Sequence, residues 1–201
     1  MDLGDLESIV RNLEEILKVL KKRKLEDRVL RSRYAKFLVA REITARGYKV
    51  QMLDERETRN ADLYVPKLDK RIEVKPGIFK FEKGKFFVNI ISFGKGKQIE
   101  NEKFDVCVFV VFKNLKPEFY VFEKKELEEV IKHRRTKISE ASEKNPCVFV
   151  ICRNYSEYEV YLKHLGEKEL KVEKDLHKFP KKYKDRWDKI VGEQPSLDMY
   201  L

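Results

Sequence analysis

The chain has 201 residues, of which 40% are charged, and its 45 lysines and arginines outweigh 35 acids for a formal net charge of +10. That length supports one sizeable core and excludes two full-size domains, while the ample aliphatic content beside so much Glu and Lys fits a soluble protein of thermophile type rather than a disordered chain. The positive balance points to an anionic partner, nucleic acid or an acidic membrane surface.

Leu3, Leu6, Val10, Leu13, Leu17 and Leu20 recur at alternating steps of three and four, with Ile9 and Ile16 widening the stripe. This predicts an N-terminal amphipathic helix over residues 1–24. The seam is shorter than the three to four heptads of a coiled coil, so packing on the same chain is expected, with a homodimer as the other outcome. A second helix is expected from Glu26 to Arg46, with Leu30, Tyr34, Phe37, Leu38 and Ala45 near one face and Gly47 as its left-handed cap. Tyr48 to Leu53 alternates as a half-buried strand does.

Next comes Asp62-Leu63-Tyr64-Val65, a polar turn, and Ile72-Glu73-Val74-Lys75. Strand side chains alternate faces, so Glu73 and Lys75 share one face while Ile72 and Val74 point into apolar packing. A turn centred between Lys67 and Leu68 sets Asp62 directly across from Glu73, and opposed residues hold their Cβ atoms roughly 5 Å apart. Two carboxylates at that spacing repel each other and suit a shared hard cation. The alternative for the same residues is an ordinary ion pair of Lys75 with Glu73 or Asp62 on a surface hairpin.

Beyond Pro76-Gly77, Ile78 to Phe81 and Lys85 to Ile91 flank Glu82-Lys83-Gly84 as a second hairpin. Gly94-Lys95-Gly96-Lys97-Gln98 is a loop; its glycines allow close approach to a phosphate and its lysines supply charge, but a solvated loop accounts for it equally. Val106 to Phe112 is apolar on both faces and reads as a central strand covered on each side, with Glu118 to Phe122 as its neighbour. Lys124 to His133 is expected as a helix, Cys147 to Cys152 as a buried strand, and Asp175 to Val191 as a charged helical tail around Trp187. The order of elements predicts one α/β domain over 1–201, a mixed central sheet flanked by helices, with 26–112 as its core and 113–201 completing the sheet and tail.

Asp62, Glu73, Val74 and Lys75 resemble the PD-(D/E)XK nuclease superfamily, whose hallmark is an aspartate followed by Glu-x-Lys on the next strand. The preceding helix, ending in Gly47-Tyr48, is part of the likeness. The resemblance implies a restriction-endonuclease-like core and a Mg²⁺- or Mn²⁺-dependent nuclease, most plainly an endonuclease acting on DNA in restriction, repair or junction processing. It implies that Asp62, Glu73 and the backbone carbonyl of Val74 hold the metal, that Lys75 orients the attacking water or stabilises transition-state charge, and that Gln98 positions nucleic acid or the lysine. Two departures stand out: Ala61 replaces the proline, and Arg33 and Lys36 stand where many members carry a helical glutamate. A third carboxylate would have to come from Glu26 or Glu42.

Between Lys18 and Lys36, nine basic residues stand against Glu26 and Asp27. Lys21, Lys22, Arg23 and Lys24 form the densest part, either a solvated face or a track for a phosphate backbone, and Lys95 and Lys97 would extend such a track. The tail from Phe179 to Trp187 mixes basic and aromatic residues, with Trp187 expected as a packing anchor. The histidines have no metal-ligand spacing, and Cys107, Cys147 and Cys152 read as buried reduced thiols. No apolar run approaches the roughly 18 residues of a membrane span and the first residues do not form a signal peptide, so a cytoplasmic protein without a membrane partner is expected. The other functional readings are a non-cleaving nucleic-acid-binding module on the same fold, and an assembly subunit whose first helix pairs with a partner.

Overall fold

The computed structural model describes residues 1–22, 28–53, 61–82, 86–93, 103–113, 116–134, 147–151 and 182–192. Helix α1 spans Leu3–Lys22. Its start is closed reciprocally: Asp5 N–H donates to Asp2 Oδ1 at 2.8 Å and Asp2 N–H to Asp5 Oδ2 at 3.4 Å, the capping-box arrangement that satisfies orphan donors of the first turn. Leu6, Val10 and Leu17 are buried against α2, which spans Arg28–Ala45. The stripe therefore packs within the chain, but it is narrower than its sequence suggested, because Ile16 is 48% exposed.

Helix α2 is buried on more than one side. Tyr34, Ala35, Leu38, Val39, Ala40 and Ile43 are all inaccessible, since the helix is held between α1 and the sheet. The expected stripe holds for Tyr34 and Leu38, which are buried, and for Leu30 and Phe37, which are half-buried against the same core, but Ala45 is exposed. The alanines let the helix approach both layers closely. Its end is a Schellman turn: Gly47, at φ 84°, donates its N–H to Thr44 O at 2.9 Å and Tyr48 donates to Ile43 O at 3.4 Å.

The main sheet has five strands in the order β1-β2-β3-β6-β7. These are Gln51–Met52, Leu63–Val65, Lys70–Pro76, Val106–Lys113 and Lys116–Glu123. Strands β1, β2 and β3 form an antiparallel meander, β6 runs parallel to β3, and β7 returns antiparallel to β6. The sheet is thus mixed and flanked by helices, an α/β arrangement. Strand β1 is shorter than the expected run from Tyr48 to Leu53, only its last residues reaching pairing distance of β2.

Strand β6 accounts for the uninterrupted apolar run. Val106, Val108, Val110 and Phe112 join the cluster under α1 and α2, whereas Cys107, Phe109 and Val111 join a second cluster on the other face. Leu127 of helix α3 (Lys124–Arg134) and Tyr183 complete that second cluster. Strands β4 (Ile78–Glu82) and β5 (Phe86–Phe93) make the expected second hairpin, but with β8 (Cys147–Ile151) they form a separate three-stranded antiparallel sheet.

The open edge of β7 is covered by the C-terminal segment. Lys184 bridges to Tyr120, and Asp185 N–H donates to Phe119 O at 2.9 Å. Tyr183 packs on Phe122 at 4.4 Å on one face and Trp187 on Phe119 at 5.1 Å. Trp187 is an anchor, as expected, with the Arg46 guanidinium 4.7 Å over its ring. It precedes a single helical turn, α4 (Asp188–Val191), rather than lying within a longer helix. Covering an edge strand in this way blocks unwanted pairing.

Candidate functional site

The β2–β3 register pairs Leu63 with Ile72, Tyr64 with Arg71 and Val65 with Lys70. This is the register expected from a turn centred between Lys67 and Leu68, but the ladder stops at the pair of Leu63 with Ile72: Asp62, the next residue, donates its N–H to Ile72 O, so it lies beside the start of the ladder rather than in a register pair with Glu73. A turn of 3₁₀ helix at Pro66–Leu68 makes this register possible, with Asp69 closing it at φ 48° and Tyr64 Oη donating to Asp69 Oδ1 at 2.8 Å. Pro66 presets its entry, and aspartate is among the few residues that tolerate the left-handed exit.

Asp62 stands where β2 begins. Its N–H donates to Ile72 O and its carbonyl accepts from Leu53 N–H, each at 2.9 Å, so its backbone is held by strands on both sides. Its carboxylate then takes the place of a further strand residue, because Val74 N–H donates to Asp62 Oδ2 at 2.7 Å. The main-chain bond fixes the carboxylate's direction. Ile72 and Val74 face the α2 side, as alternation requires, which leaves Glu73 and Lys75 on the opposite face, Glu73 level with Cys107 of β6.

Among the described residues, Asp62 and Glu73 are the only buried charged side chains, at 8% and 9% exposure. A buried charge costs free energy unless it is paired. Both are paired: Lys75 Nζ donates to Glu73 Oε1, and Lys36 Nζ lies 2.7 Å from Asp62 Oδ1. Burial pulls the Lys75 ammonium toward the neutral form, but Glu73, with Cys107 and Asp62 beyond it, outweighs burial and holds its pKa above the ordinary lysine value. The two carboxylates therefore do not confront each other bare; the Lys75–Glu73 pair is the ion pair that the sequence offered as the alternative, and Lys36 adds a second. Each has a lysine.

Lys36, expected at the end of a solvated or phosphate-tracking run, is paired with Asp62 instead. It points inward. One signal was available: Lys36 is the only charged residue in the apolar run Tyr34-Ala35-Lys36-Phe37-Leu38-Val39-Ala40. At the other end of that run of basic residues, Lys18 is tied to Glu15 at 2.8 Å and Glu14 at 3.4 Å.

Glu42 is not brought to the site. Its carboxylate accepts from Arg41 at 2.9 Å and from Arg46 at 3.0 Å, and among the described residues no three His, Cys, Asp or Glu side chains gather as a metal-ligand group. Cys107 is a buried free thiol. Lys21 and Lys22 lie in the last turn of α1. Arg23, Lys24, Glu26, Lys95, Lys97 and Gln98 lie outside the described residues. No described helix is long and apolar enough to cross a membrane.

In comparisons with protein-family models, curated proteins and solved structures, the chain matches none of them.

Proposed function

We propose that this chain is a divalent-metal-dependent nuclease with a restriction-endonuclease-like core, cutting phosphodiester bonds in DNA at the site formed by Asp62, Glu73 and Lys75. The observation that carries the reading is the placement of the only two buried charges among the described residues. They are the next residues beyond the last pair of the β2–β3 ladder, Leu63 with Ile72, with a lysine two residues beyond one of them. Buried and paired ionisable groups of this kind concentrate at functional sites. The mixed sheet, the helix ending at Gly47-Tyr48 and the net charge of +10 support the same reading.

The donor set fits Mg²⁺. That ion is commonly held by one or two carboxylates together with water and substrate phosphate oxygens, without a full protein cage. A carboxylate offers about four lone-pair sites, so Asp62 keeps capacity after accepting from Val74 and Lys36. Asp62 and Glu73 would hold the ion with the Val74 carbonyl. When bound, Mg²⁺ or Mn²⁺ supplies an activated water at neutral pH and neutralises charge on the phosphate.

The chain's own groups do the rest. The Val74 N–H holds Asp62 in one orientation, and Glu73 holds the Lys75 ammonium on the same face of β3. A fixed ammonium there stabilises the charge that grows on the phosphoryl oxygens in the transition state, without solvent reorganisation. The basic stretch at the end of α1 supplies non-specific attraction for the backbone.

A second reading is favoured by one observation. Because Lys36 and Lys75 already neutralise both carboxylates, the fold has no electrostatic need for a metal, and the site would be stable in a nucleic-acid-binding module that does not cut. Incubating the purified protein with supercoiled, linear, single-stranded and branched DNA, with Mg²⁺, Mn²⁺ or chelator, decides between them. Metal-dependent products lost in Asp62→Asn support the nuclease; binding with no cleavage in any metal supports the module.

A further inference from the structure

Lys36 has no role in the chemistry assigned above, yet the fold sets its partly buried ammonium on one of the two buried carboxylates. Its side chain is 12% exposed and its ammonium meets Asp62 Oδ1 at 2.7 Å. Arg33, one turn earlier on the same helix, is exposed and does not share this position. The carboxylate cannot swing away, since Asp62 Oδ2 is engaged by the Val74 N–H while Oδ1 faces Lys36 at 2.7 Å.

Resting on the metal-site reading, we propose that Lys36 is a built-in cation on Asp62 that limits the site to one divalent ion and competes with its uptake. Two metal ions acting together lie roughly 4 Å apart and share a bridging oxygen, and Mg²⁺ approaches its ligands to about 2.1 Å. Asp62 Oδ1 already carries an ammonium, which stands where a second ion would have to approach that carboxylate. Two lysines against two carboxylates leave the metal-free site neutral. One divalent ion and one phosphodiester anion then leave a single net positive charge, whereas a second ion would leave three in a largely dehydrated place. Lys36 supplies a fixed positive charge beside Asp62 in place of the second ion.

Titrating Mn²⁺ into the full chain without nucleic acid, and following free Mn²⁺ by electron paramagnetic resonance, reads both stoichiometry and affinity. Wild type should bind one ion per chain. Lys36→Met, and Lys36→Gln as the variant that keeps a hydrogen-bond donor, should bind Mn²⁺ about tenfold more tightly or better, because a like charge close to the ion has been removed, and should admit a second ion. Thermal melting gives an independent readout: in chelator both variants should melt below wild type, and added Mn²⁺ should raise their melting temperature more than it raises that of wild type. Unchanged or weaker affinity in both Lys36 variants, with binding still abolished by Asp62→Asn, overturns the competition while leaving the metal site standing. Wild type that binds no ion, or binds it equally well as Asp62→Asn and Glu73→Gln, overturns the metal-site reading and this inference with it.

Discussion

The Val74 N–H donates to Asp62 Oδ2 at 2.7 Å, so a main-chain group of β3 holds the carboxylate at the start of β2. That bond makes Asp62 part of the sheet's hydrogen-bonding as well as the centre of the candidate site. Its removal therefore has two consequences, on stability and on chemistry, that separate experiments can read.

Asp62→Asn and Glu73→Gln should each abolish Mn²⁺ binding and cleavage while the circular dichroism spectrum is retained. Two bare carboxylates would make the metal-free protein more stable on neutralisation. The structure reverses that sign, because each variant leaves a lysine without its counter-charge in a mostly buried place. A loss on the order of 3 kcal/mol is expected for breaking a buried pair, measured by urea denaturation in chelator. A gain in stability in both variants would contradict the pairing of Lys36 with Asp62 and Lys75 with Glu73.

Lys75→Ala should lower the cleavage rate by on the order of a hundredfold or more, the usual cost of losing one preorganised group that acts on transition-state charge, with little change in DNA affinity. Lys75→Arg should restore little, since a planar guanidinium cannot occupy the place of a compact ammonium held by Glu73. Single-turnover kinetics with separately measured binding checks this. Lost affinity with unchanged rate would assign Lys75 to binding alone.

Replacing Lys21, Lys22, Arg23 and Lys24 with glutamine should flatten the salt dependence of DNA binding. Each lost phosphate contact lowers the log-log slope by about 0.9 for duplex or about 0.7 for single strands. Fluorescence anisotropy over a range of salt concentrations gives the slope directly. An unchanged slope would make the stretch a solvated face.

Tyr120 gives the protein an alkaline limit. Burial, then the charge of Glu118 and the hydrogen bond that Tyr120 Oη donates to it at 3.0 Å, push its pKa well above the ordinary tyrosine value. Burial, with Glu14 adding to it, raises Tyr34 as well. A phenol with a raised folded pKa ionises first in the unfolded chain, so its contribution to stability is intact below pH ~10 and declines as pH rises toward the folded value. Urea midpoints should therefore fall as pH rises above about 10, and Tyr120→Phe should fall less steeply than wild type.

Trp187→Ala should cost about 3 to 5 kcal/mol, as for other buried aromatics cut to alanine. The ring supports both Phe119 and Arg46, so hydrogen exchange should accelerate along β7 before it does along β3.

The amino-acid order was enough to determine the hairpin, its register and the faces of its residues. Pro66 and Asp69 limit the turn, and alternation along Ile72-Glu73-Val74-Lys75 admits one assignment of inside and outside. The two-sided burial of β6 was also legible, since only a strand covered on both faces reads as Val106 to Phe112 does. These are local patterns with a period of two. What only the tertiary structure decided was which charges meet. Lys36 and Asp62 are far apart in the chain, on a helix and a strand whose distance is set by α2 settling onto the sheet through its alanines. Helical periodicity could not show this, because a helix enclosed on more than one side has only a narrow exposed face, and a lysine in its apolar run does not reveal which carboxylate it will find. The same holds for β4 and β5, whose hairpin was readable but whose partner β8 was not, because pairing between distant strands depends on how the intervening chain folds back.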